Sequence, residues 1–213
     1  MNRTAFIQVL GAVAYGERKA YEGARARAAD APSEEERQAW RQIAAEELRH
    51  HKGFVRRLKD LEADPERAMK PYEPALDRYH GKPPEKGVTA AVHSYLGEGI
   101  ADDLLRWLRQ VVDPETAAFI DTVIEDEKGH EARALAAVRE QIAASPGGRR
   151  EAARAARSMV LQMAGSGGGD IMSFRAFLAL GKPHELLFNL SSGYLRRVQS
   201  LGLGPLGFLA NAA

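Results

Sequence analysis

Four glutamates sit where a folded chain ought to bury hydrocarbon, and this limits what the sequence can become more than any other feature. They are Glu17, Glu47, Glu98 and Glu127, and two of them carry a histidine three residues on, His50 and His130. Glu17 and Glu47 lie equally far from Pro32, and Glu98 and Glu127 straddle the Val112–Asp113 junction in the same way. If each pair belongs to a helical hairpin folded at that midpoint, both members return to one level, roughly 22 Å from the turn at about 1.5 Å per residue. Four carboxylates packed bare in an interior carry a large electrostatic cost, which divalent cations would neutralise. The pattern therefore predicts a dinuclear metal site.

The apolar periodicity supports the helical premise. It is of helical spacing almost throughout, and the alternation of strands is nearly missing. A first helix is expected over residues 4–29, with Leu10, Val13, Ala14, Glu17, Tyr21 and Ala24 in one stripe. A second opens at Ser33, where Ser33 and Glu36 form a capping-box pattern. Its stripe, Trp40, Ile43, Ala44, Glu47, His50, Phe54, Leu58 and Leu61, falls within about 60° of the glutamate. Residues 64–86 hold half of the ten prolines and predict a long irregular crossover. A third helix is expected over 87–111, with Ala91, Tyr95, Glu98, Ala101, Leu105 and Val112 inward. Asp113 and Pro114 then start a fourth, with Ile120, Val123, Ile124, Glu127, His130, Ala134, Val138 and Ile142 inward.

Two hairpins joined by one long crossover is the connectivity of ferritin-like bundles. The expected fold is thus an all-α, ferritin-like four-helix bundle over residues 1–145, with a C-terminal helical extension over 146–213. That extension comprises an Arg-rich helix near 149–164, a GSGGGD linker, helices near 171–180 and 183–201, and a glycine-broken apolar tail. It packs on the bundle or at a subunit contact.

Composition narrows the chemistry. There is no cysteine among the 213 residues, so thiolate ligands and disulfides are excluded and carboxylate and imidazole remain as donors. An oxygen-rich set with one imidazole per metal suits iron or manganese better than zinc. Thirty basic against 29 acidic side chains give a net charge of +1, so no global field points to nucleic acid or membrane. No apolar run reaches the ~20 residues of a membrane span. The amino terminus lacks a cleavage pattern, and a cytoplasmic protein is expected.

His51 also points inward, but His50 is preferred because the fourth helix repeats the three-residue spacing and has Glu131 where His51 would map. His51, Asp102, Tyr21 and Glu131 each lie four residues beyond a candidate ligand. A ferritin-like topology would pair His51 with Asp102 and Tyr21 with Glu131, either orienting the ligands or as ordinary half-buried hydrogen-bonding groups. His80 and His184 read as surface residues, and Tyr15, Tyr95, Trp40 and Phe54 as core aromatics. Arg149, Arg150, Arg154 and Arg157 form a basic stripe, read as a solvated face, and Arg196–Arg197 add local charge.

The segments AYGERKAYE, EELRHH, YLGEGIADD and EDEKGHE resemble the ligand-bearing helices of ferritin-like di-iron carboxylate proteins. Within that superfamily, ADPERAMKPYEPALDRYH and YLGEGIADD are most similar to the MiaE-like family, related to the tRNA-(2-methylthio-N6-isopentenyladenosine) hydroxylase. The resemblance spans residues 5–143. It implies Glu17 and Glu98 as terminal carboxylates, Glu47 and Glu127 as bridging ones, and His50 and His130 as one imidazole per iron. It further implies two iron ions (or an Fe/Mn pair), O2 as co-substrate, an electron donor such as a reductase or ferredoxin, and hydroxylation of an unactivated C–H bond. A modified tRNA nucleoside is the implied substrate class, and a monomer or homodimer without membrane association the expected state. Two other functions fit the same residues: a ferroxidase or peroxidase acting on Fe2+ or H2O2, and a non-catalytic helical interaction module with a structural metal.

Overall fold

A computed structural model describes residues 2–80, 87–165 and 171–204, leaving aside the side chains of 162–165 and 171–174. The GSGGGD linker beyond Gly165 and the tail beyond Gly204 lie outside the described residues. Among the described residues all regular structure is helical, so the chain is all-α as expected. It divides into two compact units, Met1–Lys82 with Asp170–Leu180, and Pro83–Gly169 with Gly181–Ala213.

The first unit is built on a hairpin of α1 (Arg3–Ala29) and α2 (Glu34–Asp60). Capping sets its ends. The Asn2 side chain accepts from Ala5 N–H at 3.2 Å, and the Ser33 hydroxyl accepts from Glu36 N–H at 3.1 Å. Leu10, Phe54 and Leu58, on the stripes read from the sequence, are buried to 1% exposure or less, and so are Phe6 and Val9, which the α1 stripe does not include, while Val13 and Tyr21 of that stripe are half-buried. The helix α8 (Ile171–Leu180) also packs on α1.

The crossover differs from expectation. Over residues 64–80, in place of an irregular segment, it forms α3 (Pro65–Met69), a 3-10 turn (Lys70–Tyr72) and α4 (Glu73–His80), while 81–86 lie outside the described residues. Pro65, Pro71 and Pro74 start helices rather than break them. Pro65 follows Asp64, whose carboxylate accepts from Glu66 and Arg67 N–H at 3.0 and 3.3 Å. Pro71 and Pro74 also stand in first turns, where the missing N–H costs nothing. Met69 and Tyr72 are buried, and the Tyr15 hydroxyl donates to Asp77 at 2.7 Å, tying α4 to α1.

The second unit repeats the hairpin with α5 (Gly87–Val111) and α6 (Pro114–Ala144). Asp113 caps α6 by accepting from Thr116 N–H at 3.0 Å and from its hydroxyl at 2.8 Å. The helices α7 (Gly148–Gly165) and α9 (Pro183–Ser200) pack against α5. Val92, Tyr95, Leu96, Val138, Ala152, Ala156 and Val198 join in one apolar cluster. Polar clips reinforce it. Thr89 donates its N–H and hydroxyl to Glu151 at 3.1 and 3.0 Å, and the Tyr194 hydroxyl donates to the Ala156 carbonyl at 2.5 Å. The C-terminal extension therefore packs on the hairpin helices, α8 on α1 and α7 and α9 on α5.

The inward face of α5 also departs from expectation. Tyr95 and Leu105 are buried as read, but Glu98 and Ala101 are exposed, while Gly99, Asp102 and Asp103 are buried. The reason is α9, which covers the Asp102–Asp103 side of α5 and draws that face inward. A Cβ at Gly99 would overlap the Arg197 guanidinium, and one at Gly193 would overlap the Asp103 carboxylate. Only glycine permits so close an approach at these two points. No helix among the described residues is long and apolar enough to cross a membrane.

Candidate metal centre

In the first unit, α1 supplies Glu17 and α2 supplies Glu47 and His50, three residues apart and so on one helical face. Each offers a ligand atom, and these atoms all lie within 4.8 Å of one another. His50 Nδ1 is 3.4 Å from a Glu17 oxygen and 3.7 Å from a Glu47 oxygen. Exposure is 8% for Glu17, 7% for Glu47 and 1% for His50.

The Glu47 carboxyl is raised to about 7, chiefly by burial, with the Glu17 charge acting in the same direction and His50 opposing both. Two carboxylates and an imidazole held this close repel charge without a cation between them. A divalent ion removes that conflict, and the donor set of two oxygens and one nitrogen fits iron or manganese. His51 plays a different part. Its Nδ1 lies 2.8 Å from the Ala14 carbonyl, so the neighbouring imidazole is engaged with the α1 backbone while His50 faces the carboxylates. The Tyr21 hydroxyl accepts from Arg25 at 3.4 Å.

In the second unit the acid–imidazole couple recurs, with His130 Nδ1 at 3.2 Å from a Glu127 oxygen, both half-buried. Glu98, on α5, is exposed, and its carboxylate accepts from the Ser94 hydroxyl at 2.8 Å. Other carboxylates of the unit gather around an arginine. Arg197, 2% exposed, donates from Nη1 to Asp103 at 2.7 Å, reaches Asp102 from Nη2 at 3.4 Å, and pairs through Nε with Glu131 at 2.9 Å. Burial raises the Asp102 carboxyl to about 8, with the Glu127 charge adding to the shift and Arg197 opposing it. Burial disfavours the charge of Arg197, yet Asp103, Glu131 and Asp102 outweigh it and hold the guanidinium above its ordinary pKa.

Arg197 is the residue that the sequence reading places wrongly, as local surface charge beside Arg196. A signal for it exists. Asp102 and Asp103 sit together on a helix rich in Leu and Val, which calls for a buried cation, and Gly193 lies one turn before Arg197 on α9. His80, His184, Arg149, Arg150 and Arg154 are exposed as read, whereas Arg157 of the same stripe is half-buried. Tyr15, Tyr95 and Phe54 are buried, with Trp40 half-buried.

Two helical hairpins joined by one crossover, each with a glutamate on its first helix and Glu-x-x-His on its second, define a ferritin-like helical protein carrying a carboxylate–histidine cluster. The chain belongs to the Ferritin-like domain family of actinomycetes, which matches residues 2–167. No curated protein matches the chain. The family match ends before α8 and α9, so Arg197 lies outside it.

Proposed function

We propose that Glu17, Glu47, His50, Glu98, Glu127 and His130 hold two iron ions, and that the chain is an O2-dependent hydroxylase. The observation that carries the reading is the buried Glu17–Glu47–His50 cluster, whose carboxyl is forced toward neutrality unless a cation sits beside it. The Glu127–His130 couple repeats the donor pattern, and membership of a ferritin-like family supports a metal-binding role for both sets of residues. An Fe/Mn pair would fit the same donors.

Iron held there would supply the redox chemistry that reduces O2, one oxygen atom entering a C–H bond and the other leaving as water, with two electrons from a reductase or ferredoxin and two protons. The chain's own part is to hold the carboxylates in place. His50 lies against Glu17 and Glu47 and opposes the upward shift that burial imposes on Glu47, and the burial of all three keeps water from competing for the metal. The MiaE-like resemblance makes a modified tRNA nucleoside the substrate class, and the exposed Arg149, Arg150 and Arg154 offer phosphate contacts for it. The protein would act in the cytoplasm as a monomer or homodimer.

Metal analysis combined with stopped-flow mixing of the reduced protein with O2 tests this reading. Two metals per chain and oxidation of the reduced centre are expected, faster in the presence of tRNA bearing 2-methylthio-N6-isopentenyladenosine. A protein that takes up no metal overturns it.

Two observations favour other readings. The exposed Glu98 leaves one triad open to metal exchange, which suits a ferroxidase or peroxidase. Catalytic turnover of added Fe2+ or H2O2 without hydroxylated nucleoside would decide for that. Leu187 and Phe188 on α9 are 62% and 71% exposed, which suits a non-catalytic module binding a partner around a structural metal. A reduced centre inert to O2 would decide for it.

A further inference from the structure

Three of the carboxylates in the second unit that are not assigned to metal converge on one guanidinium, and two of them, Glu131 and Asp102, lie beside or one turn from a proposed ligand. Glu131 directly follows His130 and lies one helical turn beyond Glu127. Asp102 lies one turn beyond Glu98, and Gly99, whose missing side chain makes room for the guanidinium, directly follows it. We propose that Arg197 is a positioning residue for the triad Glu98, Glu127 and His130, through which the C-terminal helix sets how α5 and α6 present that triad to a metal. This rests on the di-metal reading above.

The geometry is specific to a forked cation. Nη1 and Nη2 donate to Asp103 and Asp102 on α5, while Nε lies 2.9 Å from a Glu131 oxygen on α6 as an ion pair rather than an aligned hydrogen bond. One planar group thus reaches both ligand-bearing helices of the unit, hydrogen-bonded to α5 and paired by charge with α6. A lysine carries the same charge but cannot make the two directed contacts to α5 and reach Glu131 at once. The helix that delivers Arg197 lies beyond the family match, so the device belongs to this chain's own extension.

The test is titration of the metal-free full-length chain with Co2+ alone, followed by calorimetry and by the visible ligand-field bands. Wild type, Arg197→Lys and Leu186→Ala are compared. Leu186 is 1% exposed on the same helix, so its truncation loosens α9 without touching the guanidinium. In wild type two Co2+ bind. In Arg197→Lys the second Co2+ binds about 10- to 100-fold more weakly with altered bands, as when a partner that orients a ligand is lost, while the first is unchanged. Leu186→Ala lowers the melting temperature and leaves both affinities and the spectrum alone.

Unchanged binding in Arg197→Lys overturns the proposal, as does an equal loss in Leu186→Ala, which would make the effect one of packing. Both results keep the di-metal reading intact. A wild-type chain that binds fewer than two Co2+ overturns that reading, and the role of Arg197 with it.

Discussion

Arg197 Nη1 and Asp103 Oδ2 meet at 2.7 Å with both side chains buried, a helix of the C-terminal extension thereby fastened to α5 by charge. The pair is not isolated, because Asp102 and Glu131 share the same guanidinium. Removing one member of a buried ion pair strands the other in low dielectric.

Asp103→Ala is therefore expected to destabilise the protein by about 3 kcal/mol, the low end for breaking a buried pair, since Arg197 keeps two acids. Urea denaturation checks this. A cost below about 1 kcal/mol would show that the network is wet or redundant, as exposed pairs are.

Stability of the metal-free protein should fall as pH rises. Glu47 has its carboxyl raised from 4.5 to about 7 by burial, with Glu17 adding to it. The folded state thus binds more protons than the unfolded one between those values, so the slope of unfolding free energy against pH is negative there. The contribution is full below pH 4.5 and gone above about 7, a loss of order 3 kcal/mol at 1.36 kcal/mol per unit. Glu47→Gln should flatten the curve in this window, and adding Mn2+ to wild type should restore stability at the alkaline end. Urea midpoints at pH 5 and 7.5 give the answer.

Glu47→Ala and His130→Ala should each lose metal binding and O2 reactivity while helical circular dichroism stays near wild type. The side chains removed lie at the candidate centre, not in the apolar clusters that hold the helices. Retention of two metals per chain in both variants would exclude the six-residue ligand set.

Asp113→Ala should cost about 1 kcal/mol by unsealing the first turn of α6. Because Asp113 also accepts from the Thr116 hydroxyl, Thr116→Val should recover little on that background. A thermal melt of the two single variants and the double variant measures the coupling.

Much of the fold is legible in the residues because helix ends and apolar stripes are local signals. Ser33, and Asp113 followed by Pro114, mark starts that the structure keeps, and the third helix has the expected limits, Gly87–Val111. Periodicity also places Glu17, Glu47 and His50 on buried faces, but it turns His51 inward as well, and only the repeated three-residue spacing singles out His50. The crossover is misread because proline breaks a helix only in its interior, and here it occupies first turns. Glu98 and Ala101 turn outward because the buried face of α5 is chosen by α9, about ninety residues away, and no local pattern reports so distant a neighbour. Arg197 hides for the same reason: a buried arginine and a surface one look alike until their partners are known.

The first unit takes α8 from residues 171–180, although the chain on either side of that helix belongs to the second. During synthesis the α1–α2 hairpin leaves the ribosome long before the segment that covers α1. It must wait with that flank open until nearly the whole chain has been made. A protein shortened before residue 170 would carry the complete family match and all six candidate ligands, yet expose the side of α1 on which α8 settles.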